Sequence, residues 1–193
     1  MVGAILTQNT AWSNVEKAIS ALRSRGLLSP EALSRVKDGE LAVLIRPAGY
    51  FRQKARKLKN LCSFLENECS GEIKLLSGID TDILRGKLLS VNGIGPETAD
   101  SILLYALCRP VFVVDAYTKR IFKRHLLIDK EPPYDELRNL VHDNFPRTVE
   151  QLNAFHAYIV ETGKRYCRKK SPLCRECPLG RMKRNVQCLA YGV

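Results

Sequence analysis

The chain has 193 residues, 45% of them hydrophobic, which is enough to bury a core without disulfide staples. It has no apolar run long enough to span a bilayer, and residues 1–6 lack the basic region of a signal peptide. Membrane and exported proteins are therefore not expected, and an intracellular protein is. The net charge of +11 suits a polyanionic partner.

The hydrophobic pattern is helical along nearly the whole chain. Residues 1–6 already resemble a core helix without a preceding cap, so the chain is either naturally short or lacks an N-terminal piece. Thr10 is the predicted N-cap of the next helix, which ends at Gly26, and Ser29 caps another that begins with Pro30. Further helices are predicted over 53–67, 82–90, 96–108, 116–127, 134–144 and 148–166. We therefore expect an all-α protein.

The sharpest motif of the main body is a glycine turn between two helices. A helical pattern runs into Gly93-Ile94-Gly95, and Pro96 opens the next helix where its missing N–H is harmless. The glycines let a ligand approach the main chain, and the first N–H groups of the helix attract phosphate. A plain helical connection would explain the glycines alone. Apolar Val91 and Ile94, the following Thr98 and the charge of the chain favour a clamp on a DNA backbone.

A single carboxylate follows four apolar residues, 111–114, which are too few for a sheet and are predicted to be a buried connection. They deliver Asp115 to the start of a basic helix, where an N-cap is the simplest interpretation. A capping carboxylate is also rigidly fixed. Such a group can stabilise the positive charge that develops on a sugar when an N-glycosidic bond breaks, and can orient or deprotonate water.

Four cysteines close to the C-terminus are spaced as metal ligands. Six, two and ten residues separate them within a segment of 22 residues, and a reducing compartment favours thiolate ligands over disulfides. The spacing fits zinc or a [4Fe–4S] cluster and does not decide between them. Cys62 and Cys108 are predicted to be small buried apolar residues. The expected ligands are Cys167, Cys174, Cys177 and Cys188.

The stretch from Lys164 to Cys188 is strongly basic. It contains nine lysines and arginines and one acid, Glu176. A solvated tail or an anionic membrane patch is the alternative, but a loop held by cysteines without an amphipathic helix favours nucleic acid. The basic residues are Lys164, Arg165, Arg168, Lys169, Lys170, Arg175, Arg181, Lys183 and Arg184.

In this order the motifs resemble the superfamily of helix-hairpin-helix DNA glycosylases, whose best-known member is endonuclease III. Its pattern of a glycine hairpin, Val-Asp and a cysteine cluster corresponds here to Val91-Asn92-Gly93-Ile94-Gly95, Val114-Asp115 and the segment from Cys167 onward. The resemblance covers nearly the whole chain. It implies a two-lobed all-α fold with DNA in the cleft, Asp115 as the catalytic aspartate, and a [4Fe–4S] cluster, since the six-then-two spacing matches endonuclease III.

One position departs from the bifunctional members of that family. They carry a lysine two residues after the second hairpin glycine, and its amine forms a Schiff base with the sugar. Here the position is Glu97, which cannot form an imine, so lyase activity is not expected. The hairpin and Val-Asp together look most like the 3-methyladenine DNA glycosylase III branch, whose members remove alkylated purines. Glu97 is a candidate catalytic residue, with an acid in a helical first turn as the alternative.

Two loops resemble the segments that prop the duplex open in this family. Gln8 is the candidate wedge in the first loop and Tyr50 the candidate plug in the second. Something must fill the gap, because extruding a base costs unstacking energy. Trp12 and Tyr117 are candidates for stacking on the flipped base, although a lone tryptophan at helical spacing is as often a core residue.

We therefore predict a helical lobe over 8–111, a second lobe made of 1–7 and 112–166, and a cluster loop over 167–188. Gly93, Gly95, Thr98 and Lys119 are the expected backbone contacts of this DNA glycosylase. It is expected to be a monofunctional monomer that hydrolyses an alkylated purine from double-stranded DNA.

Three alternatives stay open. A bifunctional enzyme acting on oxidised pyrimidines would need Lys87 or Lys119 as its amine. A uracil or thymine mismatch glycosylase is the second, and a DNA-binding module without activity is the third.

Overall fold

The computed structural model describes residues 1–182, which form helices, turns and bends and contain no strand. This confirms the all-α prediction for that part of the chain. The chain divides into two compact units, Met1–Leu107 and Cys108–Val193. The division differs from the expected one, because residues 1–7 pack in the first unit and the boundary precedes residue 111. Among the described helices, none has the length and apolar character needed to cross a membrane.

The first unit is built around one long helix. The helices of this unit are α1 (Val2–Leu6), α2 (Trp12–Ser24), α3 (Pro30–Arg35), α4 (Asp38–Leu44), α5 (Phe51–Cys69), α6 (Thr81–Leu89) and α7 (Pro96–Leu107), with 3₁₀ helices at Arg46–Ala48 and Ile73–Gly78. Helix α5 packs against α1, α3, α4 and the two 3₁₀ helices, while α6 packs against α7.

The apolar face of α5 explains its place at the centre. Leu58, Leu61 and Leu65 recur at helical spacing and are at most 3% exposed. Burying each leucine contributes about 1.5–3 kcal/mol relative to leaving it in water. The same face begins with Lys54, which is only 2% exposed and is therefore a charged residue on an apolar stripe.

The two helices that flank the glycine turn are joined by a buried ion pair. Arg85 of α6 donates Nε to Asp100 Oδ1 at 2.6 Å and Nη2 to Oδ2 at 3.2 Å. Asp100 is fully buried and Arg85 is 8% exposed. This two-point contact fixes α6 against α7 in orientation as well as in distance.

In the second unit, the candidate catalytic residue Asp115 follows a buried segment without regular secondary structure. Residues 111–114 are at most 4% exposed, as predicted. Without a sheet, their backbone needs side-chain partners. The N–H of Phe112 donates to His142 Nε2 at 2.9 Å, and the N–H of Val114 donates to the Tyr134 hydroxyl at 3.1 Å. The helices of this unit are α8 (Ala116–Arg124), α9 (Tyr134–Asn144) and α10 (Val149–Arg165).

The structure confirms some of the local predictions and corrects others. Ser29 caps α3, since its hydroxyl accepts from the Ala32 N–H at 3.1 Å. Thr10 does not cap α2: the N-cap is Ala11, and the Thr10 hydroxyl donates instead to the Ala48 carbonyl. Cys62 is buried as predicted, but Cys108 is exposed, because it follows the end of α7 with φ of +51°. Helix α4 was not predicted.

Removing one member of the buried ion pair should strongly destabilise the protein. We expect Asp100→Asn to lower the free energy of unfolding by about 3–5 kcal/mol, because it removes the carboxylate charge that the buried Arg85 guanidinium contacts at two points. Urea denaturation followed by circular dichroism measures this.

The exposed pair Arg35–Glu31 is the control, with side chains 78% and 68% exposed. Glu31→Gln should cost about 0.5 kcal/mol or less. Equal losses in the two variants would show that the buried pair has no special role.

Candidate functional site

The glycine turn packs against the first unit through its apolar residues and exposes its backbone to solvent on the opposite side. Val91 and Ile94 are 9% and 4% exposed, so they anchor the turn in the first unit as predicted. Gly93 has φ of +95°, a region that favours glycine. Gly95 is exposed, and a Cβ placed on it would meet no atom within 4 Å. The turn therefore presents bare backbone at the start of α7.

Two side chains of α5 hold the other side of the turn. The methylene groups of Lys57 lie so close to Gly93 that a Cβ there would collide with them. Asn60 Nδ2 donates to the Asn92 carbonyl at 2.9 Å. Gly93 is thus required both by its backbone angle and by the space that Lys57 occupies.

Gln8 is bound to the hairpin in this structure. Its Nε2 donates to the Thr98 hydroxyl at 2.9 Å and to the Gly93 carbonyl at 3.2 Å. Lys57 Nζ donates to Gln8 Oε1 at 2.5 Å. Both ends of the amide are therefore engaged. The structure brings together Gln8, predicted from the wedge loop, and Gly93 and Thr98, predicted from the hairpin.

Behind Gln8 lies a buried ammonium group. Lys54 Nζ donates to the Leu6 and Ala48 carbonyls, both at 2.8 Å, and to the Thr10 hydroxyl at 3.1 Å. Burial, followed by the positive charge of Lys57, lowers the pKa of Lys54 to about 8. This side chain links the loop after α1 to the 3₁₀ helix before Tyr50.

Tyr50 is exposed at the tip of its loop. Its side chain is 66% exposed, and its backbone has φ of +46° directly after Gly49 with φ of +67°. A tyrosine in the left-handed region carries a conformational cost of about 1 kcal/mol or more. The turn thus holds an aromatic ring out from the surface at the start of α5.

In the second unit Asp115 is a buried N-cap. It is 8% exposed, and its Oδ1 accepts the Thr118 N–H at 2.7 Å and the Thr118 hydroxyl at 2.9 Å. The prediction that Asp115 caps this helix is confirmed. The other oxygen, Oδ2, lies 3.6 Å from His156 Nε2 on α10.

These neighbours keep the Asp115 carboxyl ionised. Burial alone would raise its pKa, but the nearby His156 imidazole and the N–H and hydroxyl of Thr118 outweigh it and hold the pKa of Asp115 below its usual value. A buried carboxylate that stays charged at neutral pH suits a role in stabilising a cation.

The remaining charged candidates lie on helix surfaces. Glu97 is exposed in the first turn of α7. Lys119 Nζ is paired with Glu131 at 2.8 Å, and Lys87 Nζ is paired with Glu68 at 2.7 Å. Both amines that could replace the missing lysine are thus engaged by carboxylates.

The two aromatic candidates differ in their surroundings. Trp12 is 50% exposed and its Nε1 donates to Glu16 at 3.0 Å, so it is not a core residue. Tyr117 packs against Gly163, where a Cβ would collide with its ring, and the Arg120 guanidinium lies 5.0 Å from the ring centroid. Trp12 offers an open ring, while Tyr117 has one face covered.

Arginines of α8 hold the start of the cysteine segment. Arg120 Nε donates to the Cys167 carbonyl at 2.7 Å, and Arg124 Nη1 donates to Cys167 Sγ at 3.3 Å. Arg124 also donates to the Arg168 carbonyl at 2.7 Å. The helix that begins at Asp115 therefore also anchors the first cysteine.

The described cysteines have suitable chemistry but do not form a metal centre. Cys167 is buried with its sulfur against the Arg124 guanidinium, and Cys174 and Cys177 are half-buried. Within residues 1–182, no group of three histidine, cysteine, aspartate or glutamate side chains is placed to hold a metal. Cys188 lies outside the described residues.

Comparison with known proteins decides the family. Residues 2–147 match the family described as HhH-GPD superfamily base excision DNA repair protein. The chain belongs to this superfamily. A Methanocaldococcus jannaschii protein assigned as a DNA repair glycosylase is 50% identical over 180 residues, which are 93% of this chain and 81% of that protein. The predicted DNA glycosylase of base excision repair is thereby confirmed.

Solved structures of glycosylases share the fold. The H. pylori 3-methyladenine DNA glycosylase bound to 1,N6-ethenoadenine has a TM-score of 0.72 and 32% identity, covering 84% of this chain and 82% of that one. Endonuclease III in a non-covalent DNA complex has a TM-score of 0.82 and 25% identity, covering 98% and 83%.

Sequence reasoning missed the polar residues that support the glycosylase site. Lys54 and Asp100 each occupy an apolar helical stripe, and a charge at such a position is the signal that could have revealed them. His156 and Lys57 have no comparable signal, because each acts on a residue far away in sequence.

The low pKa of Asp115 predicts a pH-dependent contribution to stability. A carboxyl with a lowered folded-state pKa stabilises the fold above its unfolded-state pKa, near 4, and the effect is lost as pH falls through the folded value. We expect Asp115→Asn to lower the free energy of unfolding by roughly 1–3 kcal/mol at pH 7.

The difference from wild type should close below about pH 4. Urea denaturation at several pH values measures it, with the exposed Asp129→Asn as the control. A difference that persists unchanged at low pH would contradict the ionised carboxylate.

Proposed function

We propose that this glycosylase hydrolyses the N-glycosidic bond of an alkylated purine in double-stranded DNA and has no lyase step. The 32% identity with the H. pylori 3-methyladenine glycosylase supports the substrate class. An alkylated purine already carries positive charge and departs readily, so the reaction needs little acid catalysis.

The proposed absence of lyase activity rests on one observation, the carboxylate side chain at position 97. Glu97 stands in the first turn of α7, two residues after Gly95, and a carboxylate cannot form an imine. Lys87 and Lys119 would each have to leave a carboxylate partner before acting on a sugar. Hydrolysis by water is therefore the step that these residues favour.

Asp115 provides the electrostatic part of the reaction. As the base leaves, the deoxyribose ring becomes a cation, which a fixed carboxylate stabilises. Thr118 occupies Oδ1 with two hydrogen bonds, which leaves Oδ2, beside His156, as the oxygen that would face a sugar or a water. Because the carboxylate is already ionised and fixed, little reorganisation is required in the transition state.

The first unit would grip and open the duplex. The bare backbone at Gly95 and the N-terminus of α7 suit a phosphate, which positions DNA without reading sequence. The exposed ring of Tyr50 suits a plug in the base stack. Gln8 would have to exchange its bonds to Gly93 and Thr98 for contacts in the duplex. Trp12 and Tyr117 are the residues proposed to stack on the extruded base.

We further propose a four-thiolate centre at the end of the chain, a [4Fe–4S] cluster with zinc as the alternative. The thiol chemistry and the Arg124 contact to Cys167 fit such a group. Its ligands would be Cys167, Cys174, Cys177 and Cys188. When bound, it would supply a structural cross-link for the basic loop, and α8 would connect that cross-link to Asp115.

Excision assays test the reaction. We expect wild type to release 3-methyladenine or 7-methylguanine in single turnover, with strand breaks only after alkali. Asp115→Asn should slow release by roughly 100-fold or more, since it removes the charge that stabilises the cation.

The same panel includes thymine glycol and uracil or thymine opposite guanine. Breaks without alkali, or a product trapped by borohydride, would contradict the argument from Glu97. Preference for a mismatched pyrimidine would contradict the substrate class. Asp129→Asn is the control for a charge change alone.

Metal analysis tests the centre. Protein purified without oxygen should contain about four iron atoms per chain if the cluster is [4Fe–4S], or one zinc otherwise. Cys174→Ser should lose the metal, whereas Cys108→Ser should retain it because Cys108 is exposed and outside the segment. Metal-free wild type, or retention in Cys174→Ser, would contradict the proposal.

A further inference from the structure

Lys54 is a buried cation whose bonding capacity is fully used. It is 2% exposed. An ammonium has three N–H donors, and three acceptors surround it, the Leu6 and Ala48 carbonyls at 2.8 Å and the Thr10 hydroxyl at 3.1 Å. Since each donor has a partner, Lys54 is neither a free nucleophile nor a site for a phosphate.

Burying this charge is unfavourable in itself. Burial and the nearby Lys57 both oppose protonation, which is why the pKa of Lys54 falls to about 8. A leucine would continue the apolar stripe of Leu58, Leu61 and Leu65 without that cost. The ammonium instead holds together chain segments that apolar packing alone would not connect.

The connected segments are the two loops proposed to open the duplex. Leu6 ends α1, two residues before Gln8, and Ala48 ends the 3₁₀ helix, two residues before Tyr50. The Thr10 hydroxyl donates to the Ala48 carbonyl and closes the ring of contacts. The backbone N–H of Lys54 also donates to the Tyr50 carbonyl at 3.0 Å.

We propose that Lys54 is a positioning residue for base extrusion, which sets the separation of the Gln8 and Tyr50 loops so that both side chains enter the stack together. The proposal rests on the wedge roles in the proposed function. A gap in a duplex has fixed dimensions, so a wedge displaced by about 1 Å loses much of its effect. A three-way ammonium contact fixes two loops more tightly than apolar packing, because its bonds have defined directions.

The first test compares paired and unpaired lesions. Lys54→Met keeps the length of the side chain and removes its donors. We expect it to slow single-turnover excision from a paired duplex by roughly 10- to 100-fold, because the loops no longer match the gap. Excision of the same lesion from a single strand, where no stack has to be opened, should change less than about threefold by the same reasoning.

A second pair of variants guards against misfolding. Thr10→Val keeps the shape of the side chain but removes the hydroxyl, and should reproduce the selective loss on paired DNA. Thr10→Ser keeps the hydroxyl and should restore excision. Equal losses on paired and single-stranded DNA, or failure of Thr10→Ser to restore activity, would overturn the proposal.

Lys59→Met is the matched control on the same helix. Lys59 also binds carbonyl groups, those of Ser34 at 2.8 Å and of Val36, but these belong to the end of α3 and not to the Gln8 or Tyr50 loop. It should affect paired and single-stranded lesions equally. A selective loss on paired DNA in Lys59→Met would overturn the assignment to Lys54.

A fluorescence measurement that requires no bond cleavage distinguishes this proposal from the proposed function. A duplex carrying 2-aminopurine opposite a tetrahydrofuran abasic analogue reports unstacking by fluorescence. Wild type should raise the fluorescence and Lys54→Met should not. If wild type unstacks the duplex but releases no methylated purine, the substrate proposal fails and the positioning role stands. If both proteins give the same fluorescence, the positioning role fails whatever the substrate.

Discussion

Three polar side chains on one face of α5 organise the surface of the first unit. Lys54 binds the helix-end carbonyls of Leu6 and Ala48, which precede Gln8 and Tyr50. Lys57 binds the Gln8 amide, and Asn60 binds the carbonyl of Asn92 in the hairpin. They are spaced three residues apart, so they lie in a row along the helix. The loops have little regular structure of their own, and their arrangement depends on this row. The row in turn depends on the leucines that bury the rest of α5.

The hairpin is held by a second constraint that acts on its helices. The Arg85–Asp100 pair fixes α6 against α7, while Val91 and Ile94 anchor the turn between them. With the turn fixed on three sides, its remaining side at Gly95 is free for a ligand. The proposed clamp would contact DNA through its backbone alone, so it needs this rigidity, because no side chain would adjust to the partner. Stability and the proposed DNA binding are therefore linked in the hairpin.

In the second unit one helix, α8, contacts both the proposed catalytic carboxylate and the first cysteine of the proposed metal centre. Helix α8 follows its N-cap Asp115, whose carboxylate lies against Thr118 and His156. The same helix carries Arg120 and Arg124, which bind the main chain and the sulfur of Cys167. The buried segment before it is satisfied by side chains of α9 rather than by a sheet. This connects the proposed cysteine centre to the proposed catalytic group through one rigid element. A structural centre could thus influence the reaction without contacting DNA.

The sequence by itself determined the helical class, most helix positions, the buried segment before Asp115 and its capping role, because these follow from short-range periodicity and cap chemistry. Family motifs identified the hairpin and the DNA glycosylase class. The tertiary structure alone decided that Gln8 binds the hairpin, that Thr10 serves Lys54 rather than α2, and that His156 faces Asp115. Each of these contacts joins residues at least 41 positions apart, and local patterns carry no information about such partners. Lys54 and Asp100 lie between the two cases: their burial is readable from the helical stripe, but their partners are not.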